Sequence, residues 1–154
     1  MKKLLFTFIA LTIGLSAFAG DHEDALKFFY SFVQASNNYS ASLPNMYSDD
    51  AKITRQVIKP NGQTVNIPFK VEDYRKQMRL SSKLAKLKNY KNHYSNMSVT
   101  KVSNGYKIES LRQPGGDKNK LKSAMVVQKQ PNGKWLIVEE LMQTKEQIFL
   151  KYAK

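Results

Sequence analysis

The side chains of this chain that could carry chemistry are few and scattered. Asp49 and Asp50 stand side by side in "LPNMYSDDAKIT", residues 43–54. Adjacent carboxylates there could pass a proton, contribute to a metal site, or form the turn between a helix and a strand. Of the two histidines, His22 and His93, the second is central in the chain, and histidine is the usual side chain for acid/base work near neutral pH. Paired across strands with Glu109 or Glu139 it would form an acid/base couple, with Tyr30 as a further catalytic candidate. No cysteine, helical H-E-x-x-H pair, calcium-loop spacing, nucleophile elbow or glycine-rich phosphate loop is present. No catalytic set is therefore firm, and no metal or cofactor is expected.

A second group of residues suits binding. Tyr30, Tyr74, Tyr94 and Trp135 could line a mostly apolar cavity, and Arg55 and Arg112 could hold a carboxylate or phosphate through bidentate hydrogen bonds. Strand alternation puts His93 and Tyr94 on opposite faces, so only one of them can line such a cavity.

The elements that must position these groups follow from periodicity and turn residues. "DHEDALKFFYSFVQASNNYS" spaces Leu26, Phe29, Phe32 and Val33 as one helix face, with Asp21 or His22 placed to cap it. "LPNMY" reads as a short helical turn with Pro44 at its start. "AKITRQVI" and "TVNIPF" read as strands joined at Asn61-Gly62. "VEDYRKQMRLSSKLAKL" returns to helical spacing through Val71, Tyr74, Met78 and Leu84, with an acidic start and a basic end that complement its dipole. Four strands follow, turning at Ser103-Asn104-Gly105, at "PGGDKNK" (a mobile hairpin loop) and at "PNG". The order predicts an α+β chain, a curled sheet covered by helices on one side. Both alternating sets of "KWLIVEELMQ" are largely apolar, so both faces of that strand should be covered. "EQIFLKYAK" could cover one face as a short amphipathic helix, or dock elsewhere.

The first residues, "MKKLLFTFIALTIGLSAFAG", have the charged, apolar, A-x-A order of a secretory signal peptide, with cleavage expected between Ala19 and Gly20. The apolar run is too short to span a bilayer comfortably. The expected product is a periplasmic or secreted single domain, residues 20–154, without a transmembrane anchor. Losing Lys2 and Lys3 would lower the formal charge from +13 to +11. Such an excess favours an anionic envelope surface as partner, and no nucleic-acid motif is present.

The stretch "MYSDDAKI", the helix-helix-hairpin-helix-four-strand order and the aromatic closing strand "GKWLIVEE" resemble the nuclear transport factor 2-like superfamily. That superfamily includes ketosteroid isomerase and the polyketide-cyclase-like (SnoaL-like) proteins. The resemblance covers essentially the whole of residues 20–154. It implies a cone-shaped, curved, mixed or antiparallel sheet of about six strands wrapped around helices, the cystatin-like topology, enclosing a pocket and often forming a homodimer. It also implies that the aspartate pair closes the second helix and turns the chain into the sheet. Matched on the same stretch, the isomerase base falls at about Arg55, which cannot accept a proton. The oxyanion aspartic acid falls near Met125 or Val126, and the oxyanion tyrosine at Tyr30. Isomerase chemistry by that route is not expected. The function expected is binding of a small amphiphilic or anionic ligand. The alternatives are an isomerase-, dehydratase- or hydrolase-like enzyme using His93 and a pocket carboxylate, or a protein-interaction module of the cell envelope.

Overall fold

The computed structural model describes residues 13–153, with side chains from Gly20 onward. The charged start of the expected signal peptide and most of its apolar run therefore lie outside the described residues. In chain order the elements are α1 (Ile13–Asn37), a 3-10 helix (Leu43–Met46), β1 (Tyr47–Ile58), β2 (Thr64–Phe69), α2 (Val71–Leu87), β3 (His93–Val102), β4 (Gly105–Gln113), β5 (Leu121–Lys129), β6 (Trp135–Thr144) and a second 3-10 helix (Gln147–Tyr152). One mixed sheet runs in the order β2-β1-β6-β5-β4-β3. The β1–β6 pair is parallel and the other pairs are antiparallel. A parallel pair between the first and last strands is what lets a meander of hairpins curl back on itself, because the intervening chain supplies the crossover.

The core lies between the sheet's inner face and α1. Ala25, Phe29 and Phe32 project from α1 onto Tyr47, Ile53, Ile108, Met125, Val127 and Ile137, all buried. Phe29 meets Phe32 and Tyr94 with ring centroids 6.4 and 5.3 Å apart. Asp21 and His22 are not at a helix start, as their side chains suggested, because α1 runs through them from Ile13. Nothing in the preceding stretch of small and apolar residues breaks the helix.

Both long helices end in the same way on a residue that is not glycine. Tyr39 and Asn89 adopt φ of 56° and 47°. Around Tyr39 the Ser40 N–H donates to Ala35 O at 2.9 Å and the Tyr39 N–H to Ser36 O at 3.1 Å. The Tyr90 and Asn89 N–H groups bond Ala85 and Lys86 in the same pattern, at 2.9 and 3.1 Å. These paired bonds satisfy orphan carbonyls at the helix end. Asn tolerates this conformation, whereas a tyrosine there is strained.

One expectation about faces changes, and one choice left open is decided. Leu84 is not on the buried side of α2; Val71, Tyr74, Met78 and Ala85 face inward while Leu80, Leu84 and Leu87 are exposed. The C-terminal 3-10 helix does not cover the outer sheet face. Phe149 and Tyr152 instead pack on Phe69 of β2, centroids 5.9 and 5.6 Å away.

Candidate functional site

A cavity of about 560 Å³ lies between the sheet's inner face, the C-terminal end of α1 and the inner side of α2. It exists because α2, beyond Met78, lines this side mostly with small residues, Ser81, Ser82 and Ala85, with Arg79 at the rim, and they leave the space unfilled. Its apolar lining includes Phe32, Leu43, Met78, Met142 and Phe149, and its polar lining includes Tyr39, Arg55, Tyr74, Asn92, Tyr94 and Arg112.

One end is a closed polar cluster. Glu140 is 2% exposed, and its Oε1 accepts from Arg55 Nη1 at 2.8 Å and from the Tyr74 hydroxyl at 3.3 Å. Its Oε2 accepts from the Tyr47 hydroxyl. Arg55 Nη2 also donates to the Tyr74 hydroxyl, and its guanidinium carbon lies 4.7 Å from that ring's centroid. Burial alone would lower the Arg55 value, but Tyr74 and Glu140 beside it hold it above the ordinary arginine value. Burial pushes Tyr74 up to about 12 against the opposing pull of Arg55. Burial, reinforced by the Glu140 charge, also raises Tyr47 well above an ordinary tyrosine. Both carboxylate oxygens of Glu140 are occupied, so this cluster locks β1, β6 and α2 together rather than presenting a base.

Glu140 reaches the inner face through a bulge. In the β5–β6 ladder Val127 pairs Ile137 while the preceding Val126 pairs Glu139, so Val138 is the extra residue. One added residue reverses the alternation that follows. Ile137, Glu140, Met142 and Thr144 are buried inward, and Glu139 turns to the outer face beside Lys52.

The other end of the cavity is open in its bonding. Arg112 is buried, yet among the described residues it contacts no carboxylate. Its Nη1 donates to Asn92 Oδ1 at 2.9 Å and its Nη2 to Gln143 O at 2.8 Å, while Nε has no partner. The buried hydroxyls of Tyr39 and Tyr94 are also unpartnered. Burial raises the Tyr94 value even though Arg112 pulls it down. Three unsatisfied donors thus share one cavity, where an unpaired buried polar group is costly.

Neither a protein-family model nor a curated protein matches this chain. Solved structures do. An NTF2-like protein with a cystatin-like fold from Novosphingobium aromaticivorans is 10% identical, aligned over 91% of this chain and 93% of its own, with a TM-score of 0.65. An NTF2-like protein of unknown function from Pseudomonas putida KT2440 is 12% identical over 81% and 87% of the two chains, TM-score 0.62. A protein of unknown function from the DUF3225 family of Pectobacterium atrosepticum is 19% identical over 81% and 91%, TM-score 0.59. The fold is nuclear transport factor 2-like.

Within that fold the sequence-derived candidates separate cleanly. Arg55, Tyr74, Tyr94 and Arg112 come together in the cavity. Trp135 does not line it; the ring packs on Tyr106, centroids 6.1 Å apart, beyond the far side of the core. Tyr30 is 50% exposed on the outer side of α1, one position away from buried Phe29, and does not line the cavity. His93 is exposed at the start of β3, and Tyr94 is the one that turns inward. Glu109 faces outward, 2.7 Å from Lys107, and Glu139 faces outward as well. The catalytic candidates His93, Tyr30, Glu109 and Glu139 are therefore all outside the cavity. Among the described residues no three His, Asp or Glu side chains group as a metal site.

Asp49 and Asp50 are not a proton-transfer pair either. They lie inside β1 rather than at the helix end, exposed, where the ladder to β6 skips between Tyr47 and Lys52. Asp49 bonds Arg75 at 2.8 Å, and Arg75 also donates to Tyr47 O and Pro44 O at 2.6 and 3.1 Å. Asp49 thus helps clamp α2 to the start of β1, while Asp50 accepts from the Ser48 hydroxyl within the strand. Missed by sequence reasoning were Tyr39, Asn92 and Glu140. Only the "NNYS" helix stop hinted at Tyr39, and nothing signalled the bulge that turns Glu140 inward.

Proposed function

We propose that this is an exported binding protein that takes a small amphiphilic anion into the inner cavity. The anionic group sits at Arg112, which offers Nε and is joined by the hydroxyls of Tyr39 and Tyr94; the apolar body lies along Phe32, Met78, Met142 and Phe149. The observation that carries this reading is the buried Arg112, which among the described residues bonds no carboxylate; the one carboxylate lining the cavity, Glu146, is exposed. A buried cation is normally paired, and a ligand's carboxylate, sulfonate or phosphate would complete it. The strained φ of Tyr39, 56°, supports the same assignment, since backbone strain of this kind gathers at ligand clamps.

Titration with anilinonaphthalene sulfonate, itself an amphiphilic anion, tests the reading. Saturable binding of one probe per chain is expected, weakened by roughly 10- to 100-fold in Arg112→Ala, the worth of a hydrogen bond to a charged group. Equal binding by both proteins would reject the site. Native mass measurement of protein from the exported fraction adds a second readout: an excess mass lost on denaturation identifies the natural ligand.

A homodimer is the second element of the proposal. The outer sheet face carries a groove of about 690 Å³ with Leu111, Ala124, Val126 and Leu141 at its centre. Lys52, Lys107, Lys122, Glu109 and Glu139 surround it. Charges of both signs around an apolar centre suit a two-fold contact of the face with itself. Mass in solution tests this.

A further inference from the structure

The outer side of α2 faces away from the cavity and, among the described residues, carries three of the seven exposed large hydrophobic side chains. Leu80, Leu84 and Leu87, spaced four and three residues apart on one side of the helix, are 73%, 54% and 84% exposed. Isolated exposed leucines are ordinary, but three in line on one helix form a contiguous apolar ridge. The ridge runs through a strongly one-signed segment. From Arg75 to Lys91 there are seven Lys or Arg residues and no Asp or Glu. Lys76 and Lys83 flank the leucines along the helix, and Lys88 and Lys91 follow its end. Tyr90, 38% exposed, sits at the same end.

We propose that this face of α2 docks on an anionic lipid surface, with the leucines entering the boundary between headgroups and acyl chains and the lysines lying among the headgroups. A basic helix with an apolar stripe is the arrangement that lies in the plane of such an interface. Each basic residue near the surface adds attraction to anionic lipid, and an aromatic ring beside them suits the headgroup level. An acidic protein partner would satisfy the charges, but a single convex row of leucines, with no neighbouring element beside it to shape a socket, is better suited to a fluid apolar layer. Among the described residues no helix is long and apolar enough to cross a membrane; docking here is peripheral. The inner side of α2 lines the cavity through Tyr74, Met78 and Ala85. Docking would therefore bring the cavity to the membrane surface, a consequence that rests on the ligand-binding reading although the docking itself does not.

The test is co-sedimentation of the purified, naturally processed protein with vesicles of phosphatidylcholine alone and of phosphatidylcholine mixed with phosphatidylglycerol. Binding is expected only to the mixed vesicles. It should fall by at least about tenfold in Leu80→Ser/Leu84→Ser/Leu87→Ser, whose exposed positions leave folding intact, because most of the buried apolar area is lost. Arg112→Ala should bind these vesicles unchanged, so loss of the cavity's ligand and loss of docking are read separately. Failure of the protein to bind mixed vesicles, or equal binding by the serine variant, overturns the proposal. So does a serine variant that changes the mass in solution while leaving vesicle binding intact, which would make the ridge a contact between copies.

Discussion

Arg55 and Arg112 sit in the same cavity, on inward-facing positions of β1 and β4, and both are buried. Their surroundings differ in one respect. Arg55 faces a carboxylate whose two oxygens are shared with Tyr47 and Tyr74. Arg112 faces only neutral oxygens, from Asn92 and Gln143. The first charge is neutralised within the protein and its cluster is complete. The second is left positive with a donor to spare. A buried charge therefore says little about function until its partner is identified: with a carboxylate it holds the fold, and without one it is prepared for something that arrives.

The comparison breaks first at Glu140. Glu140→Gln keeps the shape but leaves Arg55 as an uncompensated buried cation. It should lower unfolding free energy by about 3–5 kcal/mol, the usual cost of removing one partner of a buried pair. Arg112→Met should do the opposite, leaving stability within about 1 kcal/mol of the parent or raising it, because it removes a charge that has no partner. Denaturant unfolding of the two variants side by side decides the matter. Losses of equal size would mean that Arg112 is as structural as Arg55.

How much of this was legible in the sequence depends on which residue is asked about. The alternation in "AKITRQVI" was enough to put Arg55 on the same face as Ile53 and Val57, and that in "YKIESLRQ" put Arg112 with Tyr106 and Ile108. The element order was legible because Asn-Gly and Pro-Asn-Gly turns punctuate the strands. Glu140 was not legible. Its inward direction comes from the extra residue Val138, and a bulge inside an apolar strand leaves no mark in a sequence whose two faces are both apolar. Leu84 of α2 was misread for a related reason. Leu84 and Ala85 are neighbours, and periodicity favours the larger apolar residue where packing against a cavity uses the smaller.

The tyrosines sharpen the same contrast through pH. Tyr47 belongs to the closed cluster and Tyr94 to the open end, and both are held above an ordinary tyrosine, chiefly by burial; Tyr74 lies at about 12. An unfolded tyrosine loses its proton near pH 10. Below that pH both states keep the proton and the stabilising contribution is fully present. Above it the unfolded chain releases protons that the folded chain retains, so stability falls as pH rises from about 10 towards 12. Unfolding midpoints measured across that range should show the decline. At neutral pH the two rings should part company. Tyr47→Phe leaves Glu140 Oε2 without its donor and should cost about 1–3 kcal/mol, whereas Tyr94→Phe removes an unpartnered hydroxyl and should cost little or nothing. A Tyr94→Phe loss as large as that of Tyr47→Phe would mean that its hydroxyl has an internal partner after all.

The smallest effect belongs to the exposed aspartates of β1. Asp49 is 94% exposed, so its bond to the largely covered Arg75 is open to solvent on the aspartate side. Pairs with one partner this exposed contribute less than about 1 kcal/mol, since solvent screens the attraction and the free aspartate must be ordered to hold it. Arg75 keeps its contacts to Glu72 and to the carbonyls of Pro44 and Tyr47 when Asp49 is neutralised. Asp49→Asn should therefore shift the unfolding midpoint only slightly and leave probe binding at Arg112 untouched. A variant that folded normally but lost binding would move the functional site from the buried, unpaired cation to the exposed carboxylates, and the distinction drawn between the two arginines would fail with it.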